Sequence, residues 1–374
     1  MKQKVTNFFF WWPVNQESKI KNMDVERFDV NFSFGIESFV LPSRYIPHRA
    51  LGEGAYGLVI SAYDTESKNR LVAIKKVPGV MVDSENGPRI YREIRTMDHL
   101  NHPNIVNVCD LFYYSKDIYI VMDYMQSDIY NVMKVKDQTI GLEHIRLIMF
   151  QLVKAVYHMH SAKIFHRDLK PSNVLINSNC LVKIADFGLA RSFHSLSLES
   201  SDAKNKFTEY MVTRWYRAPE IMCGDTYDEK IDMWSLGCIL GELVGKRPMF
   251  PGTDYLHQVE LYIDTFGKPS DEDMANFHNE NAIEFIENYH PRSTGSLIQR
   301  FPLTSPLVID LIQKMLMFNP AKRISAIEAY FHPFFNPIRS FDQHPDDSCK
   351  TIFQEQNVTL SQLPAKLSVL QKTF

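Results

Sequence analysis

The spacing of apolar residues divides the chain into a strand-rich part followed by a helix-rich part. Runs of β-formers fall within residues 45–75 and 105–124, and an amphipathic stretch at 89–100 predicts a helix between them. Beyond these runs the apolar positions recur every three or four residues. Helices are predicted there over 145–159, 232–243 and 308–317. The pattern therefore predicts that residues 122–125 join a β-rich half to a helical half.

Three segments lack a clear period. Residues 1–43 show no regular alternation and are interpreted as an extension. Residues 268–300 are polar and irregular, with a helical stretch predicted around 284–287, and are interpreted as an insert between helices. Residues 336–374 are interpreted as a tail. The tail contains an acidic patch formed by Asp342, Asp346 and Asp347.

Composition limits which cell compartment and which classes of binding partner are expected. The chain has 374 residues, of which 45% are apolar, enough for two or three domains or lobes. Its formal net charge of −3 predicts no general affinity for nucleic acid or anionic lipid. The five cysteines are scattered without metal-ligand spacing, which is typical of a reduced, intracellular protein.

The beginning of the sequence has consecutive aromatic residues at 8–12. This run is short, is followed by Pro13 and lacks a small-residue cleavage site, so it is not predicted to be a signal peptide. Nowhere does the sequence contain the run of about eighteen apolar residues that a membrane span needs. The aromatic run could lie at a membrane interface. Packing on its own domain or on a protein partner is favoured instead, and membrane contact is not expected.

Residues 166–173, His-Arg-Asp-Leu-Lys-Pro-Ser-Asn, place three different chemical groups in one short loop. Asp168 can accept a proton from a hydroxyl, Lys170 can neutralise charge on a phosphoryl group, and the Asn173 amide oxygen can hold a magnesium ion. The alternative is an ordinary polar surface loop. That alternative is disfavoured because the rest of the chain supplies the other parts of a phosphoryl-transfer site.

A glycine-rich turn at residues 52–57 lies between two runs of β-formers. The same glycine spacing occurs in dinucleotide-binding folds, which need a helix directly after the glycines and an acidic residue about twenty positions further on. Here a β-rich stretch follows, and Lys75 stands near the place where the acid would be expected. The dinucleotide-binding alternative is therefore excluded.

Two further charged groups suit nucleotide chemistry. Lys75 lies in a predicted strand and faces inward, where a buried cation needs an anion. Glu93, in the helix predicted at 89–100, can supply that anion, although an ordinary surface glutamate is the alternative. Asp186, in Asp186-Phe187-Gly188, offers a second carboxylate for a metal ion.

These pieces occur in one order between residues 45 and about 335, and together they resemble the eukaryotic protein kinases. The resemblance rests on the glycine-rich turn, residues 72–75 (Val-Ala-Ile-Lys), Glu93, the 166–173 loop, Asp186-Phe187-Gly188 and Ala218-Pro219-Glu220. It implies an α+β fold of two lobes, a small β-rich N-lobe and a larger helical C-lobe, with ATP between them. The implied division is 1–43 as N-terminal extension, 44–125 as N-lobe, 126–335 as C-lobe with an insert near 268–300, and 336–374 as C-terminal tail.

The resemblance assigns a role to each matching position. Asp168, Lys170, Lys75 and Glu93 would be catalytic, and Asn173 and Asp186 would bind Mg²⁺, with ATP as co-substrate. The ATP-binding residues would be Leu51, Gly52, Gly54, Gly57, Val59, Ala73, Lys75, Met122, Asp123, Met125 and Leu175. Asp232 is expected to brace the backbone of the catalytic loop.

The sequence Thr208-Glu209-Tyr210 ends a polar segment that is expected to be a mobile loop, and it narrows the resemblance to the mitogen-activated protein (MAP) kinases of the extracellular-signal-regulated branch. This implies a proline-directed serine/threonine kinase of a signalling cascade, in cytoplasm and nucleus. An upstream dual-specificity MAP kinase kinase would activate it by phosphorylating Thr208 and Tyr210. The phosphates would be bound by Arg92, Arg167, Arg191, Arg214 and Arg217. Basic docking motifs of partners would bind Asp342, Asp346 and Asp347, with a solvated acidic tail as the alternative.

Two other functions compete with an active kinase. A pseudokinase would bind partners without chemistry, but the joint presence of Lys75, Asp168, Asn173 and Asp186 argues against it. A membrane-tethered adaptor would rest on the aromatic run at 8–12 alone, and it is compatible with kinase activity. The sequence does not identify the substrates or the pathway.

Overall fold

The described part of the computed structural model divides into two units. It comprises residues 24–54, 57–135, 140–192, 214–224, 227–274, 277, 279–292, 297–302, 304–342 and 348–374. The first unit contains the described residues up to 101 together with 106–125 and 356–374, and the second contains 102–105 and the described residues of 126–355. The junction after Met125 follows the segment at 122–125 that the apolar pattern indicates as a connection.

Strands dominate the beginning of the chain and helices dominate the later part. The strands are β1 (Val25–Phe32), β2 (Gly35–Pro42), β3 (Tyr45–Gly54), β4 (Gly57–Asp64), β5 (Arg70–Val77), β6 (Val108–Tyr114), β7 (Asp117–Asp123), β8 (Ser127–Asp128), β9 (Ile164–Phe165), β10 (Val174–Ile176), β11 (Val182–Ile184) and β12 (Arg191–Ser192). The helices are α1 (Asn86–His99), α2 (Ile129–Lys134), α3 (Leu142–Ser161), α4 (Pro219–Cys223), α5 (Lys230–Gly245), α6 (Tyr255–Phe266), α7 (Asp271–Met274), α8 (Glu280–Asn288), α9 (Leu297–Arg300), α10 (Pro306–Met315), α11 (Ala326–Tyr330), α12 (Asn336–Arg339) and α13 (Leu363–Leu370). The helices predicted from apolar spacing are confirmed, with ends shifted by a few residues.

A five-stranded antiparallel sheet in the order β3-β4-β5-β7-β6 forms the centre of the first unit. Helix α1 belongs to the same unit and begins where the Asp83 carboxylate accepts the backbone N–H groups of Glu85 and Asn86, each at 2.9 Å. Its apolar side chains Ile90, Ile94 and Met97 are buried, as the predicted amphipathic pattern requires.

Residues 24–43, part of the predicted N-terminal extension, form regular structure that the sequence pattern did not predict. Strands β1 and β2 form an antiparallel hairpin with a two-residue turn, in which Phe32 faces Gly35. Phe39 and Leu41 of β2 are fully buried in a cluster with Tyr119 of the central sheet. The hairpin forms because apolar residues occupy every second position of β1, and the last four residues of β2, Phe39 to Pro42, are all buried.

The last residues of the predicted C-terminal tail, 356–374, belong to the first unit. Leu363, Leu367 and Leu370 of α13 are buried. A Cβ atom added to Gly87 of α1 would lie 2.9 Å from Leu363 Cδ2, so the glycine permits close packing of these two helices. The Gln371 side chain donates a hydrogen bond of 2.8 Å to the carbonyl of Leu111 in β6.

The second unit is built around α5, which is buried along almost its whole length from Ile231 to Leu243. Such a helix is apolar on all sides because other helices surround it, and α3 and α10 both contact it. The short sheet β11-β10-β8 and the strand pair β12-β9 flank two polar segments, the loop at 166–173 and Asp186-Phe187-Gly188. In the predicted insert at 268–300, α8 confirms the helical stretch expected around 284–287.

No helix within the described residues is both long and apolar enough to cross a membrane. The aromatic run at 8–12 lies outside the described residues.

Candidate active site

The loop after β9 is held by one buried carboxylate. Asp232 of α5 is fully buried, and its two oxygens accept the backbone N–H groups of His166 and Arg167, each at 2.9 Å. His160 Nε2 lies 2.9 Å from Asp232 Oδ2 as well. Arg167 has a φ of 72°, a left-handed conformation that is unusual for a residue with a side chain. Asp232 therefore braces the loop in a strained shape, and the prediction for this residue is confirmed.

Asp232→Ala is expected to lower the free energy of unfolding by about 3 kcal/mol or more, because two buried N–H groups lose their acceptor. Turnover should fall as well, since the loop loses its brace. Denaturant unfolding followed by circular dichroism measures the first effect. Glu229→Ala, just before the same helix, is the control and should cost less than about 0.5 kcal/mol. An equal loss in both variants would contradict the bracing role.

The effect of Asp232 should depend on pH. Burial would raise the pKa of Asp232, but the hydrogen bond and charge of His160 and the N–H of Arg167 outweigh burial and bring it below its ordinary 3.8. Because the folded pKa is depressed, the carboxylate stabilises the fold fully above pH 3.8, and its contribution is lost as the pH falls below that value. The stability difference between wild type and Asp232→Ala should therefore shrink in acid.

Asp168 lies in this loop with its carboxylate engaged on one side. Lys170 Nζ lies 2.7 Å from Asp168 Oδ2, and the Asn173 amide nitrogen donates to the same oxygen at 3.1 Å and to the Asp168 carbonyl at 2.9 Å. Among the described residues, both side-chain hydrogen bonds to the carboxylate fall on Oδ2. Oδ1 is therefore the oxygen that can take a proton from a hydroxyl.

Asn173 and Asp186 lie at adjacent ends of β10 and β11. Val174 pairs with Ile184, and the backbone N–H of Ala185 donates to the Asn173 carbonyl at 2.9 Å. The NH₂ group of Asn173 is committed to Asp168, so the oxygen of that amide is the atom that can bind a cation. Asp186 is exposed and has a φ of 66°, in the left-handed region.

These two oxygen donors fit a hard divalent cation. Within the described residues no group of three His, Cys, Asp or Glu side chains could hold a metal ion. A cation bound by Asn173 and Asp186 would therefore need further ligands, and nucleotide phosphates with water are the usual ones for magnesium.

Phe187, next to Asp186, packs its ring against His166 with centroids 5.0 Å apart, and His166 Nε2 lies 3.0 Å from the Ala185 carbonyl.

In the first unit, Lys75 of β5 and Glu93 of α1 form an ion pair. Lys75 Nζ lies 2.6 Å from Glu93 Oε1, and the side chains are 14% and 4% exposed. The sheet register explains why Lys75 is fixed, since it lies between Val59 of β4 and Ile120 of β7. An inward-facing lysine held in this way is ready to bind a phosphate group.

The predicted nucleotide-binding residues of the first unit lie in the same sheet. Gly52 pairs with Val59 across the glycine-rich turn, and Ala73 pairs with Met122. A Cβ atom at Gly57 would lie 2.4 Å from the carbonyl oxygen of Lys76, whereas one at Gly52 would meet nothing within 4 Å. The other members of the predicted set are Leu51 and Gly54 in β3, Asp123 at the end of β7, and Met125 just beyond it, while Leu175 lies in β10 of the second unit.

The phosphorylation sites Thr208 and Tyr210 lie outside the described residues. Of the arginines predicted to bind their phosphates, Arg92 is in α1, Arg167 is in the catalytic loop, Arg191 begins β12, and Arg214 and Arg217 lie at the entry to α4. Arg214 donates to the carbonyl of Thr253 at 2.9 Å. Burial lowers the pKa of the Arg217 guanidinium, although the charge of Asp168 opposes this effect.

Asp342 does not fit its predicted docking role. Its carboxylate lies 2.6 Å from Lys154 Nζ and accepts the Tyr330 hydroxyl at 2.9 Å, and only 6% of its side chain is exposed. A buried, paired carboxylate cannot bind a basic peptide without breaking these contacts. Asp346 and Asp347, the other members of the acidic patch, lie outside the described residues.

Comparison with known proteins identifies the family. The protein kinase domain family matches residues 45–335. The chain is 42% identical over 308 residues to "Mitogen-activated protein kinase homolog NTF3" of Nicotiana tabacum, covering 80% of each chain. It is 40% identical over 341 residues to "Mitogen-activated protein kinase 2" of Arabidopsis thaliana, covering 89% of this chain and 87% of the relative. The chain belongs to the MAP kinase family.

This MAP kinase is an ATP-dependent enzyme that phosphorylates serine and threonine residues of proteins. Similarity to "Extracellular signal-regulated kinase 1" of Dictyostelium discoideum, 38% over 330 residues, covers 86% of this chain and 61% of the relative. The predicted fold class, α+β with a β-rich N-lobe and a helical C-lobe, is confirmed. Protein kinases use ATP with a divalent metal ion, and MAP kinases act on protein substrates under upstream regulators of a cascade.

The structure adds residues of this MAP kinase that sequence reasoning missed. Glu220, in the Ala218-Pro219-Glu220 motif, forms a buried bidentate ion pair with Arg323 at 2.6 and 2.9 Å. Glu355 accepts hydrogen bonds from the backbone N–H and the hydroxyl of Ser192, at 3.1 and 3.2 Å, at the point where the polar segment begins. Each pair is separated by more than a hundred residues. The motif was a signal for Glu220 itself, but no local pattern pointed to Arg323 or Glu355.

Proposed function

We propose that this MAP kinase is a proline-directed enzyme that is activated by phosphorylation of both Thr208 and Tyr210. The observation that carries the proposal is the position of Arg217, half-buried near Asp168 and directly before the Ala218-Pro219-Glu220 motif. A cation at this place is close to the catalytic base and lies seven residues from Tyr210 in the sequence. It can therefore couple a phosphate on Tyr210 to the shape of the substrate site.

Each polar group of the catalytic loop has one task in the proposed reaction. Asp168 orients the substrate hydroxyl and receives its proton on Oδ1. Lys170, 2.7 Å from Asp168 Oδ2, neutralises charge that develops on the transferred phosphoryl group. Lys75, fixed by Glu93, binds the phosphates that stay on the nucleotide. Asn173 and Asp186 would hold Mg²⁺, which when bound neutralises charge on the nucleotide phosphates.

Full activity is expected only when Thr208 and Tyr210 are both phosphorylated. Each phosphate adds about −1.5 to −2 charges and three strong acceptors, which is enough to order a polar loop against arginines. The candidates for Thr208 are Arg92, Arg167 and Arg191, and those for Tyr210 are Arg214 and Arg217. Peptide kinase rates of the unmodified, singly and doubly phosphorylated forms, separated by mass, test this. Equal rates for the unmodified and doubly phosphorylated forms would contradict it.

The preference for proline follows from the absence of an N–H group. With Thr208 and Tyr210 phosphorylated, Arg217 would donate a hydrogen bond to the backbone carbonyl near Val212. Val212 lies outside the described residues. The substrate residue after the phosphorylated one would then bury its N–H without a partner, at a cost of about 1–3 kcal/mol. Proline has no N–H and avoids this cost. The site therefore selects by rejecting other residues rather than by attracting proline.

Matched peptides with Pro, Ala or N-methyl-Ala after the acceptor test the mechanism. The Pro peptide should have a kcat/KM about five- to 150-fold above that of the Ala peptide, as the cost of one unpaired N–H predicts. N-methyl-Ala should recover part of the loss because it also lacks the donor. Equal values for Pro and Ala would exclude the mechanism, and failure of N-methyl-Ala alone would show that proline is selected by its ring.

We further propose that basic docking motifs of substrates and of an upstream dual-specificity kinase bind at Asp346 and Asp347. A cavity of about 350 Å³ in the second unit offers a place for the apolar residues of such a peptide. Its lining includes Ile140, His144, Ile148, Ile176 and Cys180. Ile148 lies on α3 six residues before Lys154, the partner of Asp342, which is a rise of about 9 Å along the helix.

Replacing Asp346 and Asp347 with lysine should weaken a basic docking peptide by at least about fivefold at low salt. The rate on a short peptide without a docking motif should not change. Unchanged affinity for the docking peptide would reject the site. The proposed compartments are cytoplasm and nucleus, which imaging of the tagged protein before and after stimulation would test.

A further inference from the structure

The turn of the N-terminal hairpin is hydrogen-bonded to the glycine-rich turn. The Ser33 backbone N–H donates to Glu53 Oε1 at 2.8 Å. The Ser33 hydroxyl lies 2.7 Å from Oε1 and 3.0 Å from Oε2 of the same carboxylate. Glu53 stands between Gly52 and Gly54. One side chain of the glycine-rich turn is therefore hydrogen-bonded to the N-terminal hairpin.

The hairpin is anchored firmly enough to act as a brace. The Phe39 ring packs on Phe32 beside the turn, with centroids 6.1 Å apart, and on Tyr119 of the central sheet at 6.2 Å. Lys76 of β5 donates to the Ser38 carbonyl at 2.8 Å. These contacts connect the hairpin to strands β5 and β7, which do not belong to the glycine-rich turn. The turn is therefore tied to the rigid part of the sheet through Ser33.

A second contact restrains the other side of the glycine-rich turn. Glu53 of β3 faces Leu58 of β4. Leu58 packs against the cluster that contains Phe39 and Tyr119. The hairpin and its aromatic cluster thus engage both strands that flank the glycines, one through hydrogen bonds and one through apolar packing. Without these contacts the glycines would leave the turn free to sample many conformations.

We propose that Ser33 and Glu53 are positioning residues for ATP, forming a latch that holds the end of β3, where the glycine-rich turn begins, against the N-terminal hairpin. The inference rests on the proposed phosphate-binding role of this turn. The latch also fixes the negative charge of Glu53 on the hairpin, beside a turn that must approach an anion. The end of β3, already held at Glu53, loses less conformational freedom on binding, so removal of the latch weakens ATP binding.

Ser33→Ala should raise the KM for ATP about two- to tenfold, the range expected for an exposed hydrogen bond to a carboxylate, with little change in kcat. Ser33→Thr keeps the hydroxyl and should restore most of the affinity. Ser38→Ala is the matched control, because its hydroxyl bonds Asp29 at 2.6 Å in the same hairpin but does not touch the glycine-rich turn. It should leave the KM unchanged. Hydrogen exchange of residues 51–58 should accelerate in Ser33→Ala alone.

A double-mutant cycle gives the decisive result. If the latch exists, Ser33→Ala should have no further effect on the KM for ATP in a protein that already carries Glu53→Ala. Additive effects of the two substitutions would overturn the proposal. So would an unchanged or lower KM in Ser33→Ala, or an equal rise in Ser38→Ala, because a general loss of hairpin stability explains that outcome.

Gly52→Ala separates failure of the latch from failure of the proposed turn. The added Cβ meets no atom within 4 Å in the protein itself, so the substitution introduces no clash within the protein that would weaken ATP binding. If Gly52→Ala weakens ATP binding and Ser33→Ala does not, the latch is wrong and the phosphate-binding turn stands. If Gly52→Ala has no effect, the proposed role of the turn is wrong, and the latch falls with it.

Discussion

Asp168→Asn is expected to reduce kcat at least about a hundredfold, a loss of about 2.7 kcal/mol of transition-state stabilisation, while ATP binding stays nearly unchanged. Asparagine has the same shape but cannot accept the hydroxyl proton. It also loses the ion pair with Lys170 at 2.7 Å. The bond from the Asn173 amide to the carbonyl of residue 168 does not depend on the side chain and should keep the loop in place.

Peptide phosphorylation rates and a separate ATP-binding titration on the same protein test this prediction. Asp186→Asn is the informative comparison, because a residue that binds the metal should affect nucleotide binding as well as turnover. An Asp168→Asn variant that kept more than a hundredth of the wild-type kcat would show that Asp168 is not the base. Weakened ATP binding equal to that of Asp186→Asn would show that Asp168 acts on the nucleotide instead.

The parts of the fold that the sequence predicted are those in which a period is strong and local. Helices α3 and α10 have apolar stripes that extend over several turns, so both were found with small errors at their ends. The ion pair between Lys75 and Glu93 was also expected, because a buried lysine requires an anion and Glu93 lies on the next helix. Here the chemistry of single residues limits the alternatives.

The hairpin at 24–43 was missed although its alternation is present in the sequence. Phe28, Val30 and Phe32 occupy every second position of β1, but charged and polar residues lie between them. A strand with one solvated face has this pattern, and its short length makes the period weak evidence. Its apolar face becomes meaningful only when Phe39, Tyr45 and other residues of the sheet provide a partner.

Contacts between distant residues account for the remaining errors. Nothing near Asp342 indicates that Lys154, 188 residues earlier, will neutralise it. Asp342 was therefore interpreted, with Asp346 and Asp347, as a docking patch, whereas the structure pairs it with Lys154 of α3. The position of residues 356–374 in the first unit was not predicted for the same reason. The residues that α13 contacts lie in α1, far away in the sequence.

Lys75→Met is expected to abolish turnover, again by at least about a hundredfold, because the nucleotide phosphates lose the cation that positions them. The substitution should also reduce stability. The Glu93 carboxylate, 4% exposed, then stays buried without its lysine partner, which should cost about 1–3 kcal/mol. Two separate losses, one of chemistry and one of stability, are thus predicted for a single change.

A second substitution separates these losses. Adding Glu93→Leu to Lys75→Met replaces the buried ion pair with two apolar side chains, so much of the lost stability should return, because apolar replacement of a buried pair is often neutral. Turnover should not return, since no cation is left for the phosphates. Glu93→Gln alone keeps the shape of the side chain and the lysine, and should give an intermediate kcat/KM. Unfolding free energies and kcat/KM measured on all three variants test the assignment. Recovery of activity together with stability in the double variant would show that Lys75 is needed only to support the fold.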